Sequence, residues 1–167
     1  MSDELEFIVR STLIGIGATV VVDLWAQGLK RFRGIQPLNW RMVGRWLGHM
    51  PSGQFMHENM ARASPVRGEV AIGWMAHYAI GIVFAMSLAA IEGIEWARHP
   101  TLLPALVFGL LTVAIPFLVM QPGMGAGLAA SKTSAPNRAR LRSVFTHTVF
   151  GVGLYGSALL SAFLIRL

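Results

Sequence analysis

Hydrophobic residues form four long runs along the chain. Segments 70–91, 99–131 and 143–165 contain no charged residue, and each is longer than the ~20 residues that a helix needs to cross the hydrocarbon core of a bilayer. A fourth segment, 7–29, is apolar except for Arg10 and Asp23. The pattern predicts an all-α, polytopic membrane protein with four transmembrane helices at about 7–29, 70–91, 102–121 and 143–165.

Composition supports a bilayer as the solvent. Hydrophobic residues make up 54% of the 167 residues and charged residues only 13%, about half the usual charged share of a soluble domain. A soluble protein of this length has too little interior to bury that much apolar surface. The length predicts one integral membrane domain over 1–167, and the absence of cysteine excludes disulfides and thiol chemistry.

The basic residues predict an orientation. Eleven of the 14 lysines and arginines lie in two segments, seven within 30–67 and four within 132–142. The positive-inside rule then predicts two hairpins with both basic segments in the cytoplasm and both termini outside. The charge is interpreted as a topology signal that also favours anionic lipids at the cytoplasmic face, and nucleic acid is not an expected partner.

The first basic segment predicts a helix lying in the membrane interface near 40–48. In "NWRMVGRWLGHM", Asn39 is suited to cap the helix, and Trp40 shares an apolar face with Val43 and Leu47. Arg41 and Arg45 lie on another face, where they could contact anions or lipid headgroups. The following "SGQFMHENMARA" predicts a second short helix carrying His57 and Glu58.

The stretch "QPGMGAGLAASK" opens the second basic segment. Gly123 and Gly125 could present backbone amides to an anion, with Lys132 nearby. It is not a P-loop, because the required Lys-Ser/Thr pair does not follow the glycines. Close helix packing or a re-entrant turn is the commoner meaning of such glycines, and Pro116 predicts a kink in the third helix.

Small residues recur every four positions on the predicted helices. Such stripes let membrane helices approach closely, which is the role expected of Gly15, Gly73, Gly81 and Gly151.

Three ionisable residues on these helices need a further explanation. Asp23, His77 and His147 all lie roughly 8–12 Å from the predicted cytoplasmic helix ends, at ~1.5 Å per residue. An aspartate there costs at least ~2.5 kcal/mol unless it is paired or hydrated. The least costly arrangement is a buried Asp–His–His cluster in the cytoplasmic half of the bundle, with Thr19 as a further hydrogen-bonding group.

The cluster leaves several functions open. It could bind a proton, an ion or a small polar ligand, and a homo-oligomer could form a transport path. Alternatively, His77 and His147 could ligate haem b or a metal ion, or the polar groups could be structural in a partner of a larger membrane complex. No HExxH spacing or nucleophile elbow occurs, so an enzyme is not the favoured interpretation.

The ordered motifs "GATVVVDLW", "GRWLGHM", "GWMAHYAIGIVFA", "QPGMGAG" and "HTVFGVGLYG" resemble a bacterial family of small four-helix inner-membrane proteins, domain of unknown function 2938. The resemblance spans about 8–165. It implies a multi-pass protein of the bacterial cytoplasmic membrane, with both termini periplasmic under the topology above. It supplies no activity, substrate or cofactor.

Overall fold

The described residues, 2–165, fold into helices and loops. In the computed structural model 78% of the protein is helical, and the described part contains no strand. The predicted all-α class is therefore confirmed. The α-helices are α1 (Asp3–Arg33), α2 (Trp40–His49), α3 (Glu69–Glu92), α4 (Ile94–Arg98), α5 (Leu102–Leu111), α6 (Gln121–Gly123) and α7 (Pro136–Leu164).

Four helical segments are long and apolar enough to cross a membrane: α1, α3, α7 and the segment Leu102–Gly123, which includes α5 and α6. Many of their large apolar side chains face outward. Ile91 and Leu103 are each 70% exposed and Leu111 is 68% exposed. This surface is compatible with surrounding lipid, and by length and composition the four predicted helices are confirmed.

The first and the last of these helices, α1 and α7, extend beyond their apolar runs. α1 continues to Arg33 rather than ending near 29, and α7 begins at Pro136 rather than near 143. Hydropathy locates the apolar part of a helix only, whereas lysine and arginine are good helix formers that prolong it. Gly34 ends α1 in the left-handed conformation, with φ 66°, and its N–H donates to the Lys30 carbonyl. Proline at the first position of α7 is equally typical, because no helical N–H bond is lost there.

The third apolar segment is irregular at Pro116. The regular helix α5 ends at Leu111, and a π-helical turn covers Pro116–Met120 before α6 begins. Proline removes one backbone donor and clashes with the preceding turn. The structure thus has a π-helical turn that begins at Pro116, and the predicted kink of the helix axis stays a prediction.

The chain forms two compact units. The bundle unit contains the described parts of 1–37, 78–111 and 146–167, and the loop unit contains 38–77 and 112–145. The single-domain interpretation of 1–167 stays a prediction. The core of the bundle unit is apolar, and the rings of Phe108 and Phe150 meet Phe84 edge-on, with centroids 6.3 and 5.9 Å away.

Glycines bring the helices of the bundle unit into backbone contact. A Cβ atom added to Gly15 would lie 2.5 Å from the Ile82 Cα, and one added to Gly109 would lie 2.5 Å from the Gly151 Cα. Both separations are far below van der Waals contact. α1 therefore packs directly on α3, and α5 on α7, as small residues permit in membrane helices.

The loop unit packs α2 against the first turns of α3. A Cβ atom on Gly44 would overlap the Glu69 backbone, and one on Gly73 would overlap the Trp40 backbone. Asn39 caps α2 as predicted, since its side chain accepts the Arg41 N–H. α2 covers Trp40–His49, so the predicted helix near 40–48 is present.

Candidate functional site

Asp23 lies half-buried on α1 and accepts a hydrogen bond from the Tyr78 hydroxyl of α3, over 3.0 Å. The antiparallel contact of α1 and α3 explains this pairing. Thr19 of α1 lies against Gly81 of α3. Asp23 follows Thr19 by one helical turn and Tyr78 precedes Gly81 by one turn, so both lie on the same side of this contact. The close approach of the two helices therefore brings the carboxyl and phenol groups together.

Thr19 serves the same helix contact. Its side chain is 1% exposed, and its hydroxyl donates to the Gly15 carbonyl over 2.7 Å. This bond satisfies the hydroxyl within α1.

His77 lies on α3 within the loop unit, beside the first residue of α2. Its ring stacks on the Trp40 ring, with centroids 3.8 Å apart and planes at 24°, and the Trp74 ring lies 5.8 Å away. The close backbone contact at Gly73, one turn earlier, brings Trp40 to this position. His77 is therefore held in an aromatic environment formed by the start of α2 and the preceding turn of α3.

His147 is half-buried on α7 in the bundle unit, where its side chain hydrogen-bonds the backbone of Gly109. This contact depends on the same glycine approach that packs α5 on α7. A Cβ atom on Gly109 would lie 2.9 Å from the His147 carbonyl oxygen as well as meeting Gly151.

Each of the three predicted cluster residues thus has at least one described neighbour. Asp23 is bonded to Tyr78, His77 is stacked on Trp40, and His147 is bonded to the Gly109 backbone. Within residues 2–165 no group of three histidine, aspartate or glutamate side chains is arranged to hold a metal ion. A joint Asp–His–His site and a haem held by His77 and His147 both stay predictions.

Arg45 is a buried structural residue of the loop unit. Its Nε and Nη2 atoms donate to the Glu69 carboxylate over 2.7 and 3.0 Å, and its Nη1 atom donates to the Ala63 carbonyl. Hydrogen bonding to Glu69 raises the pKa of the Arg45 guanidinium against the lowering effect of desolvation. Arg41 also donates to Glu69, but its side chain is 53% exposed. Of the two arginines predicted to contact anions, Arg41 is the accessible one.

The glycine-rich loop packs against the segment that follows α2. Gly123 is buried against the Trp46 indole, where a Cβ atom would lie 2.6 Å from the ring. The His57 N–H donates to the Gly123 carbonyl, and the Met60 N–H donates to the Met124 carbonyl. The predicted second helix carrying His57 and Glu58 is wrong, because only Met60–Arg62 forms a 3-10 turn. These two residues instead lie in a loop segment held by the backbone bonds to 123–124.

A second cluster of charged side chains, at the first turns of α1, was not predicted from the sequence. Glu6 is 2% exposed and binds both Arg10 and Arg98. Arg10 also donates to the carbonyls of Ser161 and Ile165 on and after α7. Hydrogen bonds to Glu6, then to Glu95 and Asp3, raise the pKa of Arg98. The spacing of Glu6 and Arg10 by four residues was the available signal.

Comparisons with known proteins identify a family. No curated protein and no solved structure matches the chain. The model of the family described as "Protein of unknown function (DUF2938)" matches residues 12–161, which is most of the chain. The recognised resemblance is thereby confirmed, and the chain belongs to this family.

Proposed function

We propose that the protein is an integral membrane protein whose four long helices span the bilayer and whose Asp23–Tyr78 pair takes up a proton, a cation or a small polar ligand. In this proposal the basic segments face the cytoplasm and the pair lies in the cytoplasmic half of the membrane. The observation that carries the proposal is the 3.0 Å hydrogen bond from the Tyr78 hydroxyl to the Asp23 carboxylate, between two apolar helices.

The physical reason is the cost of the ionised carboxylate. A charged aspartate within a membrane helix costs at least ~2.5 kcal/mol by insertion scales, so protonation or a bound cation lowers that cost. The Tyr78 hydroxyl can donate to the ionised carboxylate and accept from the carboxylic acid. The pair is therefore compatible with both states of the site.

The proposal also assigns proton exchange to His77 and His147, each within its own unit. Imidazole is the side chain best suited to exchange protons near neutral pH, and the His77 ring is positioned by stacking on the Trp40 ring. In this proposal Thr19, Gly15 and Gly81 pack α1 against α3 beside the Asp23–Tyr78 pair. Four helices leave one protomer little room for a path, so transport would require a homo-oligomer.

Infrared spectroscopy can follow the Asp23 carboxyl directly. The chain contains only two aspartates, Asp3 and Asp23, so ¹³C-aspartate labelling of the purified protein marks almost nothing else. Lowering the pH, or removing a bound cation, should change the Asp23 carboxyl bands. Tyr78→Phe should shift these bands, because it removes the phenol that bonds the carboxyl group.

Asp3→Asn is the matched control, since it leaves Asp23 as the sole labelled carboxyl group. The proposal fails if Asp3→Asn protein shows no pH- or cation-dependent band within the range where the protein stays folded. It fails equally if the Asp23→Asn variant retains every band of the wild type.

A further inference from the structure

A cavity of about 510 Å³ lies in the loop unit. Its walls come from 56–58 and from the glycine-rich loop and its continuation to Lys132. The backbone bonds from His57 to Gly123 and from Met60 to Met124 join these two segments, over 2.9 and 3.2 Å. The volume falls within the ~300–1,000 Å³ typical of small-molecule sites.

The loop beside the cavity keeps an unusual backbone. Gly127 has φ 74°, and two residues with side chains, Ala129 and Ala130, have φ 46° and 61°. Their conformations are held in place, because Arg140 donates to the Ala129 carbonyl and Thr133 to the Ala130 carbonyl, each over 2.8 Å. Left-handed residues other than glycine persist only where the surroundings enforce them, and they concentrate at ligand clamps and active sites.

This backbone also presents unused donors. The N–H groups of Gly127, Leu128 and Ala129 donate to no acceptor among the described residues, and Gly127 and Leu128 line the cavity. Successive amides in a turn that includes left-handed residues form a concave surface that attracts anions.

Two side chains of opposite charge line the same cavity. Lys132 and Glu58 are both exposed, and neither side chain forms a hydrogen bond or ion pair with the described residues. Arg140, a cation of the same unit, is bonded to the loop. A cavity lined by the cation Lys132 and the anion Glu58 fits a zwitterion better than a simple anion.

We propose that this cavity binds a phosphate group carrying a primary ammonium, the chemistry of phosphoethanolamine. The phosphate lies against Lys132 and the amides of the glycine-rich loop, and the ammonium donates to Glu58. The exposed apolar side chains of Met56 and Leu128, which also line the cavity, suit a hydrocarbon chain. The ligand can be a phosphatidylethanolamine headgroup or a soluble phosphoethanolamine.

Binding can be measured on the full chain in detergent, so the test does not depend on the Asp23 proposal. Native mass spectrometry would compare phosphatidylethanolamine, phosphatidylcholine and phosphatidylglycerol with identical acyl chains. We expect at least tenfold tighter binding of phosphatidylethanolamine. The choline headgroup has no N–H to donate to Glu58, and the glycerol headgroup has no cation.

A thermal-shift titration with soluble O-phosphoethanolamine separates the two sources. Stabilisation by the soluble compound indicates a soluble ligand, whereas binding of the lipid alone indicates a membrane headgroup. Either result supports the site.

The variants use the only two lysines of the chain. Lys132→Gln should weaken binding at least tenfold, and Lys30→Gln, at an exposed position in the bundle unit, is the matched control. Glu58→Gln should remove the preference for the ethanolamine over the choline headgroup. All three positions are exposed, so folding should be preserved. The proposal is overturned if the three lipids bind alike and O-phosphoethanolamine does not stabilise the protein, or if Lys132→Gln binds as tightly as Lys30→Gln.

Discussion

Replacing Gly15 by alanine tests the contact that brings Asp23 to Tyr78. The added methyl carbon would lie 2.5 Å from the Ile82 Cα, whereas ordinary contact begins at 3.4 Å. α1 and α3 must therefore move apart by about 1 Å or distort. Since the obstacle is backbone, no rotamer change of a flexible side chain can relieve the overlap.

Gly28→Ala is the matched control, because it lies on the same helix and an added Cβ would meet nothing within 4 Å. Alanine favours the helix over glycine by about 1 kcal/mol at either position, so this contribution cancels when the two variants are compared. Overpacking typically costs about 1–3 kcal/mol. We therefore expect the free energy of unfolding of Gly15→Ala to be about 1–3 kcal/mol lower than that of Gly28→Ala.

SDS-induced unfolding in mixed micelles, followed by circular dichroism, would measure this difference. The Asp23 carboxyl bands should shift in Gly15→Ala and stay unchanged in Gly28→Ala, because only the first substitution disturbs the α1–α3 contact. Equal stability of the two variants would refute the close contact of Gly15 on α1 with Ile82 on α3. Unaltered carboxyl bands in a destabilised Gly15→Ala would refute its link to Asp23.

Three further predictions concern the polar groups and the topology. A double-mutant cycle of Asp23→Asn with Tyr78→Phe should give a coupling of about 0.6 kcal/mol, the average for side-chain hydrogen bonds in membranes, with ~1.7 kcal/mol as the upper range. The same cycle with His77→Ala or His147→Ala tests the predicted cluster, and additive effects for both histidines would remove it. Reporter fusions at residues 60 and 135 should report the cytoplasm and a fusion at 97 the periplasm; a periplasmic signal at 60 would contradict the topology. The protein as purified should show no Soret band, whereas a band that is lost in both histidine variants would support the haem alternative.

The four long helices could be predicted from the sequence because their determinants are local. A helix in lipid satisfies its backbone hydrogen bonds within itself, so the length of each apolar run is sufficient to identify it. The ends at Arg33 and Pro136 could not be predicted equally well, because charged residues neither require nor prevent another helical turn. Local preference also failed at 57–58, where backbone bonds to 123–124 replace the predicted helix.

The sequence by itself also predicted Asp23, His77 and His147 as candidate site residues, because polar groups on apolar helices are costly wherever they lie. Their neighbours Tyr78, Trp40 and Gly109 depended on tertiary structure. Which side chain meets Asp23 depends on how α1 fits against α3, and that fit is set by the steric contact of Gly15 with Ile82, 67 positions away. Glu58 and Lys132 likewise share one cavity only because backbone bonds join two distant loops. A linear pattern reports what each residue costs to bury, whereas its partner is determined by shape complementarity between segments that are far apart in the chain.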